Sequence, residues 1–192
     1  MIVAITNLKG GVGKTTTAMF LAEAARRAGE SSSVIDADSQ GSATLWANAA
    51  EDDGAPLPFD VVLGNKTSLR RLRSGDDWVF IDCPPSGDVC RAAKEISDFI
   101  VIPTSPSNVD MQQVYETIND LPEGAAYAVL ILKANKRTNA FKSVVESLER
   151  DDTSYFETVI PQREDVKNTF ANQFGSQLYG YEEVFSEIKG AL

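Results

Sequence analysis

Residues 7–16 read Asn-Leu-Lys-Gly-Gly-Val-Gly-Lys-Thr-Thr, and few decapeptides restrict a chain so tightly. The segment follows an apolar, β-branched run, Ile2 to Thr6, and leads into an Ala-rich stretch, Thr15 to Ala28, that Gly29 stops. A strand, a glycine loop and a helix in that order form the context in which such a loop cradles phosphate. Gly10, Gly11 and Gly13 let backbone N–H groups converge on an anion with no Cβ in the way. The start of the following helix favours negative charge. Lys14 is placed to reach β- and γ-phosphates, and the Thr15 hydroxyl to coordinate Mg²⁺. Val12 and Thr16 complete the run from Lys9 expected to surround a nucleotide. The strict spacing G-x-x-x-x-G-K-[ST] fails at its first position, Leu8. The run is instead K-G-G-x-G-K-[ST], with a second lysine, Lys9, ahead of the glycines.

Short apolar runs recur along the chain at Ser33–Asp36, Phe59–Leu63, Trp78–Asp82, Phe99–Pro103 and Ala126–Leu132, with a weaker one at Tyr155–Ile160. Helical patterns at Ser42–Ala50, Thr67–Arg73, Asp88–Ser97, Val109–Leu121, Thr138–Glu149, Glu164–Phe174 and Glu182–Lys189 separate most of them or follow the last. Alternating helices and continuously apolar strands predict an α/β fold. The expectation is a mostly parallel central sheet of about seven strands with helices on both faces, joined by right-handed crossovers. The 192 residues suit one domain spanning 1–192. Glu51 to Pro58 reads as a surface loop within it.

Charge narrows the partners. With 18 Lys and Arg against 28 Asp and Glu, the net charge is −10, so any nucleic-acid contact has to come from a local patch. Two clusters qualify: Lys66, Arg70, Arg71 and Arg73; and Lys133, Lys136, Arg137 and Lys142 with Arg163 and Lys167. Each also reads as a solvated helix face. The chain has no histidine, which removes His-based acid–base chemistry and most zinc sites. Cys83 and Cys90 are too far apart for a Cys-x-x-Cys motif and read as buried thiols in a reducing compartment. The first residues lack the basic leader and cleavage site of a signal peptide, and no run approaches the ~18 apolar residues of a membrane span. A cytoplasmic protein with no added N-terminal DNA-binding module is expected.

The K-G-G-x-G-K-[ST] loop resembles that of the ParA/MinD group of deviant Walker A ATPases. Val34-Ile35-Asp36-Ala37-Asp38-Ser39-Gln40-Gly41 resembles the second motif of that family, and Phe80-Ile81-Asp82-Cys83-Pro84-Pro85-Ser86 its Walker B strand and turn. Ile102-Pro103 and Asn135 to Thr138 fall where the family has matching segments. The resemblance implies ATP and Mg²⁺ as cofactors, with Asp82 and Thr15 near the metal and Asp36 supporting them. It implies that Asp38 orients the attacking water. It also implies that Lys9 reaches across an ATP-dependent homodimer to the partner's nucleotide, in the manner of an arginine finger. Asn135 and Pro161, after the sixth and seventh strands, are candidates to border the adenine, and either also serves as an ordinary turn residue. Ser39 stands where the family commonly has proline, and Leu8 where it has a polar residue.

Within that group, the C-terminal Tyr181–Leu192 carries three glutamates and one lysine, unlike the basic amphipathic anchor of membrane-bound members. No membrane partner is expected. The cysteines and tyrosines do not match the iron–sulfur or tyrosine-kinase relatives. The resemblance points to a ParA-type plasmid or chromosome segregation ATPase. Its ATP dimer would bind nonspecific DNA on the nucleoid, and a centromere-binding adaptor would stimulate hydrolysis. The alternatives are a MinD-like positioning ATPase for another cargo and a metabolic ATP-dependent enzyme. The latter needs substrate-holding groups beyond the phosphates.

Overall fold

A computed structural model of the chain describes every residue except Ala171, and describes Asn108, Lys167 and Asn168 through their backbone alone. The elements run β1 (Ile2–Ile5), α1 (Lys14–Arg27), β2 (Ser32–Asp36), α2 (Ser42–Asp52), β3 (Asp60–Leu63), α3 (Lys66–Leu69) and β4 (Trp78–Asp82). They continue with α4 (Asp88–Ile96), β5 (Phe99–Thr104), α5 (Asn108–Asn119), β6 (Tyr127–Ile131), α6 (Asn139–Arg150), α7 (Glu164–Asn168) and α8 (Tyr181–Ala191).

The strands form one sheet in the order β3-β2-β4-β1-β5-β6, and every neighbouring pair is parallel. Side chains alternate between two cores. Val3 and Ile5 point to the face covered by α1, α2 and α8, where Phe20, Trp46, Tyr181 and Phe185 are buried. Ile2 and Ala4 point to the face covered by α3, α4, α5 and α6, where Leu69, Ala93, Val114 and Leu148 are buried. Burial on both faces is why the central strands are continuously apolar rather than alternating. Because β1 lies between β4 and β5, the carboxyl ends of β1, β2 and β4 open on one edge, where open α/β sheets place their ligands.

The expected seventh strand does not form a ladder. Tyr155–Ile160 touches β6 through an isolated bridge, Val129 with Tyr155, and a second bridge joins Ala134 with Pro161 just beyond both segments. Between them the N–H groups of Glu157 and Thr158 donate to the Glu187 carboxylate of α8, at 2.8 and 3.0 Å. A side chain thus takes the donors that a strand would have used. The helix expected over Glu164–Phe174 ends at Asn168, and Ala171 lies outside the described residues. Aromatic packing competes with helical propensity there. Phe170 and Phe174 sit 5.4 and 5.8 Å from the Trp46 ring, and Phe174 sits 5.0 Å from Phe20. Among the described residues, no helix is long and apolar enough to cross a membrane.

Candidate functional site

The glycine loop leaves β1 and turns into α1 through two left-handed glycines, Gly11 (φ 73°) and Gly13 (φ 101°). Gly13 is the N-cap of α1, and its carbonyl accepts the first helical bond, from Thr17 N at 2.9 Å. A Cβ on Gly13 would lie 2.7 Å from Leu132 Cδ1, so both dihedral and space demand glycine. Asn7 pins the mouth of the loop. It is fully buried, donates from Nδ2 to Pro103 O of β5 (2.9 Å) and accepts from Lys9 N (2.8 Å).

Lys14 is buried, and its ammonium curls into the loop, donating to the carbonyls of Lys9 (3.1 Å) and Asn7 (3.3 Å). No carboxylate pairs with it among the described residues, which leaves its charge for an anion. Beside the loop lies a cavity of about 720 Å³, lined among others by Gly11, Lys14, Thr15, Asp38, Gln40 and Pro85. A smaller apolar cavity flanks the other side of Gly13 and Thr16, lined by Leu132, Lys133, Pro161 and Tyr181.

Two carboxylates meet at the strand ends. Asp36 and Asp82 are register partners on β2 and β4, and both are buried. Asp82 Oδ2 accepts from Thr15 Oγ1 at 2.6 Å. Asp36 Oδ2 accepts from the Thr44 N–H and hydroxyl, both at 2.8 Å. The second oxygen of each, Oδ1, is buried with no partner among the described residues. Burial pushes the Asp82 carboxyl up to about 7; the Thr15 hydrogen bond opposes that shift, and the nearby Asp36 carboxylate adds to it. Two buried oxygens without donors, beside a threonine hydroxyl, are the donor set of a hard divalent cation. Thr15, Asp82 and Asp36 therefore fit Mg²⁺, which would neutralise phosphate charge. Asp38 is half-buried, accepts from Gln40 N (3.0 Å) and lines the large cavity.

Lys9 points away from the cradle. Its ammonium donates to Asp110 of α5, whose other oxygen accepts from the Ser105 hydroxyl. Burial raises the Asp110 carboxyl, but the Lys9 and Ser105 contacts outweigh it and hold the group below the usual carboxylate range. Sequence reasoning missed Asp110. Ser107-x-x-Asp110 carries a capping signature, and Ser107 does cap α5, but nothing local announces a partner 101 residues away. Asn7 and Thr44 were missed for the same reason.

The candidate base residues separate. Pro161 lines both the small apolar cavity and an adjoining depression, whereas Asn135 lines only the depression and uses its side chain on its own turn, accepting from Arg137 N at 3.1 Å. The two basic clusters lie on different elements. Arg70, Arg71 and Arg73 follow α3, whereas Lys133, Lys136, Arg137 and Lys142 surround the start of α6. The Lys167 side chain lies outside the described residues. Cys83 and Cys90 are free, buried thiols.

Comparison with known proteins adds to this geometry. Residues 3–173 match the CbiA family, described as the CobQ/CobB/MinD/ParA nucleotide binding domain. Over 146 residues the chain is 40% identical to the maintenance of carboxysome distribution protein A of Gloeobacter kilaueensis, covering 71% of this chain and 65% of that one. The chain thus spans less than two thirds of that relative. A putative plasmid partition protein from Borrelia burgdorferi, bound to AMPPNP, superposes with a TM-score of 0.81 at 21% identity, covering 100% of this chain and 99% of that one. Cobyrinic acid a,c-diamide synthase from Mycobacterium smegmatis, with an ATP analogue and magnesium, gives 0.77 at 18% identity, covering 98% and 93%.

Proposed function

Because the chain belongs to the CobQ/CobB/MinD/ParA nucleotide-binding family, we propose that it is an ATP-hydrolysing switch that positions a cargo by dimerising on ATP and binding nonspecific DNA. An adaptor protein on the cargo would stimulate hydrolysis and reset it. The cargo is a DNA segment or a large protein assembly. The 40% identity to a carboxysome distribution protein supports the latter, and the likeness to a plasmid partition fold is compatible with both.

The observation that carries this reading is the division of labour between two lysines in one loop. Lys14 already fills the interior of the cradle, and Lys9 stands outside it, parked on Asp110. A second lysine held at the rim is redundant for binding phosphate in its own subunit. It suits a phosphate presented by a second copy. The residues then have distinct tasks. The backbone of Gly10 to Gly13 and Lys14 would bind the β- and γ-phosphates. Thr15, Asp82 and Asp36 would hold Mg²⁺, which supplies charge neutralisation. Asp38 would orient the attacking water, and Lys9 would stabilise charge on the partner's transferring phosphoryl group. The test is molecular mass in solution by light scattering with ADP, ATP and ATPγS. The wild type should be dimeric only with the triphosphates, and Lys9→Ala monomeric throughout. A Lys9→Ala protein that dimerises and hydrolyses ATP normally sinks the reading.

One observation bears on a metabolic ATP-dependent enzyme instead: the large cavity is lined not only by the loop but also by Asp38, Gln40 and Ser86. Hydrolysis stimulated by a small carboxylic acid, and unmoved by DNA with an adaptor, would select it.

A further inference from the structure

The sheet fixes the backbone of Asp36. The residue ends β2 opposite Asp82 of β4 and Leu63 of β3. Its carbonyl accepts from Gly64 N at 2.8 Å, and the next N–H, that of Ala37, donates to Asp82 O at 3.0 Å. The chain is tight here, because a Cβ on Gly64 would lie 2.3 Å from Ile35 Cγ2. What remains free is rotation of the carboxylate about its side-chain bonds.

Thr44, in the first turn of α2, removes that freedom. Its N–H and its hydroxyl both donate to Asp36 Oδ2, each at 2.8 Å. A carboxylate oxygen accepts about two hydrogen bonds, so Oδ2 is filled. Oδ1, buried with no partner among the described residues, is the oxygen left over. The contact also serves α2. Its N-cap, Gly41, supplies no side-chain acceptor. The N–H of Thr44, third residue of the helix, is one of the donors a helix start leaves without an internal partner. Asp36 takes the place of a cap from a neighbouring strand, and its charge suits a helix start.

Capping alone does not account for the arrangement. A cap needs the N–H and not the hydroxyl, and it works at the surface, whereas Asp36 is 1% exposed. Burying a carboxylate is costly, and a single cap does not offset it. The contact has a second consequence. It closes residues 36–44 into a loop, pinned inside by Asp38, whose carboxylate accepts from Gln40 N and whose carbonyl accepts from Gly41 N, both at 3.0 Å. Asp38 lines the large cavity and Thr44 does not. Thr44 thus acts on the cavity through Asp36 and through the loop that carries Asp38.

We infer that Thr44 is the positioning residue of the Mg²⁺ site: it clamps one oxygen of Asp36, leaves the other for the metal and closes the loop that presents Asp38. The inference rests on the proposed function, in which Asp36 helps to hold Mg²⁺. Groups that hold a ligating carboxylate typically change metal affinity by about tenfold or more when removed.

The test is the affinity of the full chain for a fluorescent ATPγS analogue, in EDTA and across a Mg²⁺ series. The ratio of the two affinities separates the contribution of the metal from that of the phosphate loop. Thr44→Val keeps the shape and the N–H and loses the hydroxyl. It should bind the analogue within about twofold of wild type in EDTA, while the tightening produced by Mg²⁺ falls by about tenfold. Thr44→Ala should match it, and Thr44→Ser should restore the tightening. Asp36→Ala should lose the tightening, and Thr44→Val added to it should change the affinity by less than about twofold, because the clamp then has nothing to hold. Thermal melts are read on every variant. A lower melting temperature in Thr44→Val and Thr44→Ala with the Mg²⁺ tightening intact makes Thr44 a helix cap only, and overturns the inference while the proposed function stands. A further loss on adding Thr44→Val to Asp36→Ala overturns it as well, since Thr44 would then act by another route. A wild type whose affinity for the analogue does not respond to Mg²⁺ overturns the metal site of the proposed function itself, and the inference with it.

Discussion

Asp82 and Asp36 show what the proposed Mg²⁺ site costs the fold. Each buries one carboxylate oxygen with no donor among the described residues, an arrangement that costs stability and that the proposed cation would offset. Asp82→Asn should therefore raise the melting temperature in EDTA by a few degrees, corresponding to about 1 kcal/mol, while abolishing Mg²⁺-dependent ATP hydrolysis. Differential scanning calorimetry and phosphate release check the two halves. Asp110 acts in the other direction. It holds Lys9 within its own subunit, and Lys9 would have to leave it for the role proposed across a dimer. The Lys9 side chain is 40% exposed, so the pair is worth about 1 kcal/mol at most. Asp110→Asn should lower the ATP concentration at half-dimerisation by roughly threefold to fivefold, measured by light scattering. An unchanged midpoint would show that the contact does not hold the lysine back.

At the scale of elements, the loop and α1 depend on one glycine and one ion-pair cluster. Gly13→Ala meets both a left-handed φ and the Leu132 side chain, and should cost about 2 kcal/mol in chemical denaturation together with loss of nucleotide binding. Further along α1, burial raises the Glu23 carboxyl, but the guanidiniums of Arg26 and Arg27 outweigh it and hold the group below its ordinary 4.5. Arg27 continues to the carbonyls of Gly175 and Ser176, tying the segment before α8 to α1. A depressed carboxylate contributes stability above its unfolded pKa and loses it as pH falls through the folded value. Glu23→Gln should thus narrow the stability difference between pH 7 and pH 3 relative to wild type, as read from urea midpoints. A pH dependence unchanged from wild type would mean that Glu23 contributes nothing to it.

At the scale of the whole molecule, six parallel strands bring the ends of β1, β2 and β4 together, so that Thr15, Asp36 and Asp82 converge from segments 46 residues apart at the widest adjacent step between them. Much of this was legible beforehand. The order of strands and helices, burial on both faces and the cradle itself follow from local pattern, because glycine spacing and apolar runs express their preference within a few residues. The ladder expected at Tyr155–Ile160 was not, because the Glu187 carboxylate of a later helix takes the Glu157 and Thr158 donors in its middle. Nor was the length of α7, which packing around Trp46 overrides.

The lysine ahead of the glycines therefore divides what each level decides. The sequence by itself determined that this chain carries the glycine loop of a nucleotide-binding family with a second lysine ahead of its glycines, because the loop is contiguous and its chemistry is local. Only the tertiary structure decided where that lysine rests, on Asp110 at the start of α5. Ion pairing joins residues far apart in the chain, and no local pattern encodes such a partnership.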